Sequence, residues 1–225
     1  MSTAAILGVG IPIAVVVVAL LVRFAARSIS VERVHEDLLQ HAARATAASL
    51  ENGATGRLAG VVTADTTLLA PLTRRPCVGY VARVEERIAT GKGGRWVERI
   101  HEVRGVPFTI DDGTGRALID PGQSTMLLEM DGTSRSGRFD DATAAEESFL
   151  RRHGLASTGW FLNKTLRYVE GVIEPGERVA VIGRGVREPE PDPIGHGGGL
   201  STRVRIAGTA DEPVLVTDRK QLIGA

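Results

Sequence analysis

The chain has one cysteine, Cys77, among its 225 residues. A lone thiol makes no internal disulfide and cannot supply the thiolates of a structural zinc site. Aromatic residues are scarce at 4%, too few for the stacking platforms of a single-strand nucleic-acid binder. Charge of neither sign is in excess: Lys+Arg and Asp+Glu are both 27. No overall basic field points to nucleic acid, and none is expected as a partner. The five histidines, His35, His41, His101, His153 and His196, show no metal-ligand spacing. No metal, cofactor or catalytic residue is assigned, because no nucleophile stands with a base and an orienting group. "GHGGG" at 195–199 lacks the trailing lysine of a phosphate loop and reads as flexible chain.

Long apolar runs are also missing, except one. "AAILGVGIPIAVVVVALLV", Ala4 to Val22, carries no charge over nineteen residues. At ~1.5 Å per residue it reaches about 28 Å as a helix, close to a bilayer's hydrocarbon core. Pro12 is compatible with a lipid-buried helix. A cleaved signal peptide needs a basic start, which "MST" does not provide. Arg23, Arg27 and Arg33 follow the run, and positive residues stay on the cytoplasmic side. The expectation is a single-pass membrane protein with its N-terminus outside and its C-terminal domain cytoplasmic. Asn163-Lys164-Thr165 matches a glycosylation acceptor, which a cytoplasmic domain would not use.

The predicted organisation is a transmembrane anchor at 1–27, a juxtamembrane helix at 28–51 and a β-barrel domain at 52–225. In "SVERVHEDLLQHAARATAASL", Ser30 to Leu50, Val31, Val34, Leu38, Ala42 and Ala45 recur at helical steps, and Asn52-Gly53 is a stop. After Gly56 the texture changes. "RLAGVV", "CVGYVARVEERI", "RWVERIHEV", "VPFTI", "RALID", "TLRYVEGVI", "ERVAVIG" and "TRVRIA" are short, rich in β-branched residues and separated by Gly, Pro or Asp. That pattern predicts strands in a sandwich or small barrel. A helical insert at about 140–163 opens with Asp140 or Asp141 as cap and ends at Gly154. Trp160 and Phe161 read as a buried anchor after it. A Pro/Gly-rich stretch at about 187–199 predicts a flexible loop. The fold class expected is mainly β, α+β overall.

"VPFTIDDGTGRALIDP", Val106 to Pro121, places Asp111, Asp112 and Asp120 within ten positions. Asp112-Gly113 is a hairpin signal, and Asp120-Pro121 closes the following strand. The oxygen spacing is not that of a calcium loop. Gly113, Gly115 and Pro121 therefore read as structural turn residues. So do Pro175 and Gly176 in "EPGE", where proline presets φ and glycine accepts the positive φ of a type II turn. Cys77, after Pro76, reads as a small buried hydrophobe. On "LRYVEG", Tyr168 and Glu170 share a face and Arg167 takes the other. Asp111, Asp112, Arg167, Tyr168 and Glu170 form a candidate interaction surface.

"RPCVGYVARVEE" (Arg75–Glu86), Trp96, "VPFTIDDGTGRALIDP", "LRYVEGVIEPGERVAVIG" (Leu166–Gly183) and "PVLVTDR" (Pro213–Arg219) together resemble the GIDE, or "beside a membrane" (BAM), domain. That domain occurs in mulan-type membrane E3 ubiquitin ligases and in prokaryotic membrane proteins. The resemblance runs from about Leu58 to Arg219 and implies a small OB-like β-barrel beside the bilayer. In the ligases a RING finger performs ubiquitin transfer, and one cysteine cannot supply its ligands. The expected function is a membrane-anchored, non-catalytic interaction module that binds the bilayer and a membrane or cytoplasmic protein. The alternative is an E3 ubiquitin-ligase-like protein or component, by resemblance only.

Overall fold

Valine- and isoleucine-rich runs become strands here wherever glycine, proline or aspartate interrupts them. A computed structural model describes residues 33–91, 93–137, 140–157, 164–189, 202–209 and 211–224. The expected span at 4–22, the Trp160–Phe161 anchor and 190–199 of the expected loop lie outside the described residues. Two units partition the chain, Met1–Leu38 and Leu39–Ala225. In the first, residues 33–38 are helical. Among the described residues no helix is long and apolar enough to cross a membrane.

The second unit is mainly β and is built on a closed five-stranded barrel. β1 (Thr55–Thr63) pairs antiparallel with β6 (Phe108–Asp111), and β6 with β7 (Arg116–Asp120). β7 runs parallel to β12 (Thr202–Ala207), which pairs antiparallel with β11 (Arg178–Pro189). β11 returns to β1 and closes the ring. One long strand does this by changing partners. Arg178 to Arg184 pair with β1, whereas Gly185 to Pro189 pair with β12. At the switch, a Cβ on Gly185 would fall 2.4 Å from a Leu50 methyl, so a side chain there would have to displace buried Leu50. The ring is consistent with the OB-like barrel expected. Leu58, Val62, Phe108, Ile110, Ile119 and Ile206 fill it. On the other side of β11, β13 (Val214–Thr217) pairs antiparallel, and β8 (Ser124–Leu127) runs parallel to β13.

Two insertions into the ring combine into a second sheet. β4 (Gly79–Thr90) and β5 (Gly93–Gly105) lie between β1 and β6, while β9 (Gly132–Ser136) and β10 (Leu166–Ile173) lie between β7 and β11. They pair antiparallel in the order β5-β4-β10-β9. Helix α2 (Ala144–Arg152) covers one face, with Phe149 and Leu150 against Tyr80, Val84, Ile100 and Tyr168. A two-residue ladder of β2 (Leu68–Leu69) and β3 (Pro76–Cys77) borders the same core. Cys77 is buried there, and burial pushes its thiol up to about 11.

Three expectations need correction. The helix predicted to reach Leu50 ends much earlier, with α1 helical over residues 33–41. Beyond it the backbone is taken by the barrel. Ala45 N–H donates to Arg57 O, and Arg57 N–H to Ala43 O, both at 2.9 Å. Arg187 donates to the carbonyls of Ala47, Ala48 and Leu50 at 3.2, 2.6 and 3.2 Å. Tertiary hydrogen bonds override alanine's helical preference. Leu39, outside the predicted stripe, is the buried anchor, against Leu127, Ile182, Leu215 and Leu222. Second, α2 is capped by Thr143, not by Asp140 or Asp141. Thr143 and Glu146 form a reciprocal capping box, and Gly154 ends the helix at φ +69°. Third, Arg187 to Pro189, assigned to the loop, complete β11 against Thr202 to Val204.

Candidate functional site

Asp112 anchors the hairpin between β6 and β7 instead of facing a cavity. Its Oδ2 accepts from Ala47 N–H at 2.7 Å. Its Oδ1 accepts from the Thr114 hydroxyl at 2.7 Å, and from the amides of Thr114 and Gly115 at 2.8 and 3.1 Å. Burial pushes the carboxyl up, but the Ala47, Thr114 and Gly115 donors outweigh it, and the group lies below its usual value. Asp111 accepts from Gly113 N–H at 2.9 Å and lies 3.6 Å from Arg116 Nε. Gly113 has φ +84° and Gly176 φ +93°, while Gly115 has no positive φ and packs beside Ala47. Pro121 is buried at the start of a single 3-10 turn capped by Asp120. Glu177 N–H donates to Glu174 O at 3.2 Å across the Pro175-Gly176 turn.

β10 separates the other candidate residues onto two faces. Tyr168 is buried, and its hydroxyl lies 3.1 Å from Ser136 Oγ. Burial pushes that phenol up to about 12. Glu170 is fully buried and accepts from the amides of Leu72 and Thr73 at 2.8 and 2.9 Å, and from the Thr73 hydroxyl. These two residues hold the fold together internally, and a partner could touch neither without opening the sheet. The surface expected from all five residues is not assembled. Only Arg167 presents its side chain on the sheet face opposite α2.

That face carries a site the sequence did not reveal as a unit. Cross-strand register aligns Arg135, Arg167 and Glu85 in one row, and Thr133, Val169, Arg83 and His101 in the next. Arg87 stands opposite Trp96, and Glu85 opposite Glu98. Arg167 Nε lies 2.5 Å from Glu85 Oε2. Its guanidinium sits 4.6 Å from the Trp96 ring centre, and that of Arg135 sits 5.9 Å away. A groove of 340 Å³ lies between Arg83, Glu85, Thr133, Arg167 and Val169. Among the described residues, no carboxylate is within ion-pair distance of Arg83, Arg87 or Arg135. Four guanidiniums face two carboxylates, so the face is cationic although the chain is neutral. Planar guanidiniums of this kind bind carboxylates in bidentate fashion.

No family model, characterised protein or solved structure matches this chain. The motifs that carry the GIDE resemblance fall on β3 and β4, the β6–β7 hairpin, β10 with β11, and β13.

A second polar cluster joins α2 to the sheet. Glu102, only 9% exposed, accepts from Arg152 at 2.8 Å, lies 2.8 Å from His153 Nε2, and accepts from the Tyr80 hydroxyl. Arg104 Nε is 3.6 Å away. Burial pushes Glu102 up, but Tyr80, Arg152 and His153 outweigh it and the carboxyl lies below its usual value. Burial also raises the Tyr80 phenol, with the hydrogen bond to Glu102 acting in the same direction. Glu102 and His153 are 51 positions apart, and no local motif links them. Elsewhere Asp218, beside Glu129 and Glu177, is pushed up to about 6, chiefly by burial. Among the described residues no group of three His, Cys, Asp or Glu side chains is arranged to hold a metal.

Proposed function

We propose that this chain is a membrane-anchored, non-catalytic interaction module whose second sheet engages an acidic segment of a partner protein. The apolar run at 4–22 supports the anchor. Arg23, Arg27 and Arg33 support a cytoplasmic domain, and the GIDE resemblance supports a position beside the bilayer. One observation carries the binding assignment: Arg83 lines a groove on a cationic sheet face, Arg135 stands in the next row, and among the described residues neither has a carboxylate within ion-pair distance. Glu85 and Glu98 interrupt the positive charge. Such a pattern suits a partner of patterned charge better than a uniform lipid or phosphate surface. The Trp96 ring lies under two guanidiniums and is not free to stack on a base. Tethering raises the effective concentration for other membrane proteins.

The test places a photo-crosslinking residue at Thr133 of the full-length chain in its native membrane. Adducts should converge on a protein with an acidic segment. The double change Arg83→Glu and Arg135→Glu should reduce them about tenfold, the effect of about 1.4 kcal/mol, and added salt should weaken them. Adducts to lipid alone, or adducts indifferent to both arginines, would overturn the assignment. Recovery of unclipped chain in the aqueous fraction without detergent would remove the anchor.

A further inference from the structure

A cavity of 570 Å³ opens beside the Glu102 cluster, between β2, the end of β5 and the turn at Pro121. That volume is within the range of small-molecule sites. Its walls have two chemical characters. Leu69, 52% exposed, leaves a large apolar side chain open to solvent, with Leu68, Val106 and Pro121 beside it. Tyr80, Arg104 and Arg152 supply the polar wall.

The charges at that wall do not cancel. Glu102 carries one negative charge, shared by Arg152 and Arg104. Arg152 and His153 suffice to tie α2 to the sheet through Glu102 at hydrogen-bond distance. Arg104 does not take part in that link. At 3.6 Å it is beyond hydrogen-bond range of Glu102, and its side chain is 62% exposed. The cavity therefore has an apolar side and a surplus guanidinium with free donors.

We propose that this cavity binds a small amphiphile with one anionic head group, a carboxylate or a phosphate monoester on a short alkyl chain. The head group meets Arg104 and the outward donors of Arg152, and the chain lies along Leu68, Leu69 and Val106. This inference rests on the cavity alone and is independent of the arginine face on the opposite side of the sheet.

Methyl NMR of Leu68, Leu69 and Val106 tests it, with the full chain in nanodiscs of zwitterionic lipid. Hexanoate, hexyl phosphate, hexanol and inorganic phosphate are the probes. Hexanoate, hexyl phosphate or both should shift these methyls at concentrations at least tenfold below hexanol and inorganic phosphate. Comparing the two separates a carboxylate source from a phosphate source. Arg104→Gln, at an exposed position, should weaken binding about tenfold with the remaining methyl spectrum unchanged. Leu69→Trp, which fills the cavity, should abolish it, as read at Leu68 and Val106. Equal binding of hexanol would reduce the site to an apolar patch, equal binding of inorganic phosphate would reduce it to an anion site, and an unaffected Arg104→Gln variant would remove the head-group contact. Each of these results overturns the proposal.

Discussion

At the scale of single residues, burial decides what an acidic group does in this chain. Asp112 and Asp218 are the same residue type in opposite situations. Asp112 collects four donors and stays ionised. Asp218 has one strong donor, Glu129 N–H at 2.7 Å, with Glu177 and Glu129 adding negative charge nearby. Its pKa rises from 3.8 to about 6, so the folded state holds this proton more tightly than the unfolded state. The resulting stabilisation is complete below about pH 4 and is lost as the pH rises through 6. Asp218→Asn keeps an oxygen for Glu129 N–H and removes the charge. Relative to the parent, the variant should be more stable by about 1–2 kcal/mol at pH 8, with the difference shrinking toward pH 4. Urea unfolding at pH 4.5, 6 and 8 measures this, and a pH-independent difference would contradict it. None of this was legible in "VTDRK", because nothing local says that Asp218 is buried. Arg167 was legible as an exposed arginine on a strand. Its stacking on Trp96 was not, because the register of β4 with both β5 and β10 creates it.

At the scale of elements, the β6–β7 hairpin is also a dock. Asp112 holds its own turn and the amide of Ala47, so it fastens the segment after α1 to the barrel. Asp112→Ala leaves the part-buried amides of Ala47 and Gly115 without their acceptor and should cost about 2–3 kcal/mol. Asp111→Ala loses one exposed turn bond and a long ion pair, and should cost less than about 1 kcal/mol. Thermal unfolding of the two variants side by side checks the contrast, and equal losses would sink it. The strands themselves were largely readable, because β1, β4, β5, β6, β7, β10, β11 and β12 carry long β-branched or alternating runs. β8, β9 and β13 escaped notice, being four or five residues long and, in β9 ("GTSRS"), almost entirely polar. The alanine-rich segment after residue 41 misled for a different reason. Its backbone partners are Arg57 and Arg187, and helical propensity says nothing of them. β5 is an edge strand of thirteen residues, long enough to invite pairing with another chain. Arg95, Glu98 and Arg99 and a bulge after Val84 blunt it.

At the scale of the whole second unit, the barrel and the added sheet depend on each other. Val78 just before β4, Val81 in β4 and Ile173 at the end of β10 are buried in the same core as the barrel's Phe108, Ile119 and Val181. Glu170 on β10 holds the turn at Leu72 and Thr73, which belongs to the other insertion. A polar group so deeply buried is costly unless every partner is in place. The sheet thus cannot open without exposing part of the barrel's core and leaving the Glu170 carboxylate unpaired. Unfolding should be cooperative across both parts. In native-state hydrogen exchange, amides at the centres of β1 and β11 should share one opening free energy, within about 1 kcal/mol, with those of β4 and β10. Glu170→Ala should lower both groups together by about 3 kcal/mol or more, as expected when buried donors lose a charged acceptor. If the β4 and β10 amides exchanged through a separate, cheaper opening while β1 and β11 stayed protected, the two insertions would be an independent subdomain. The arginine face would then sit on a body able to move relative to the barrel.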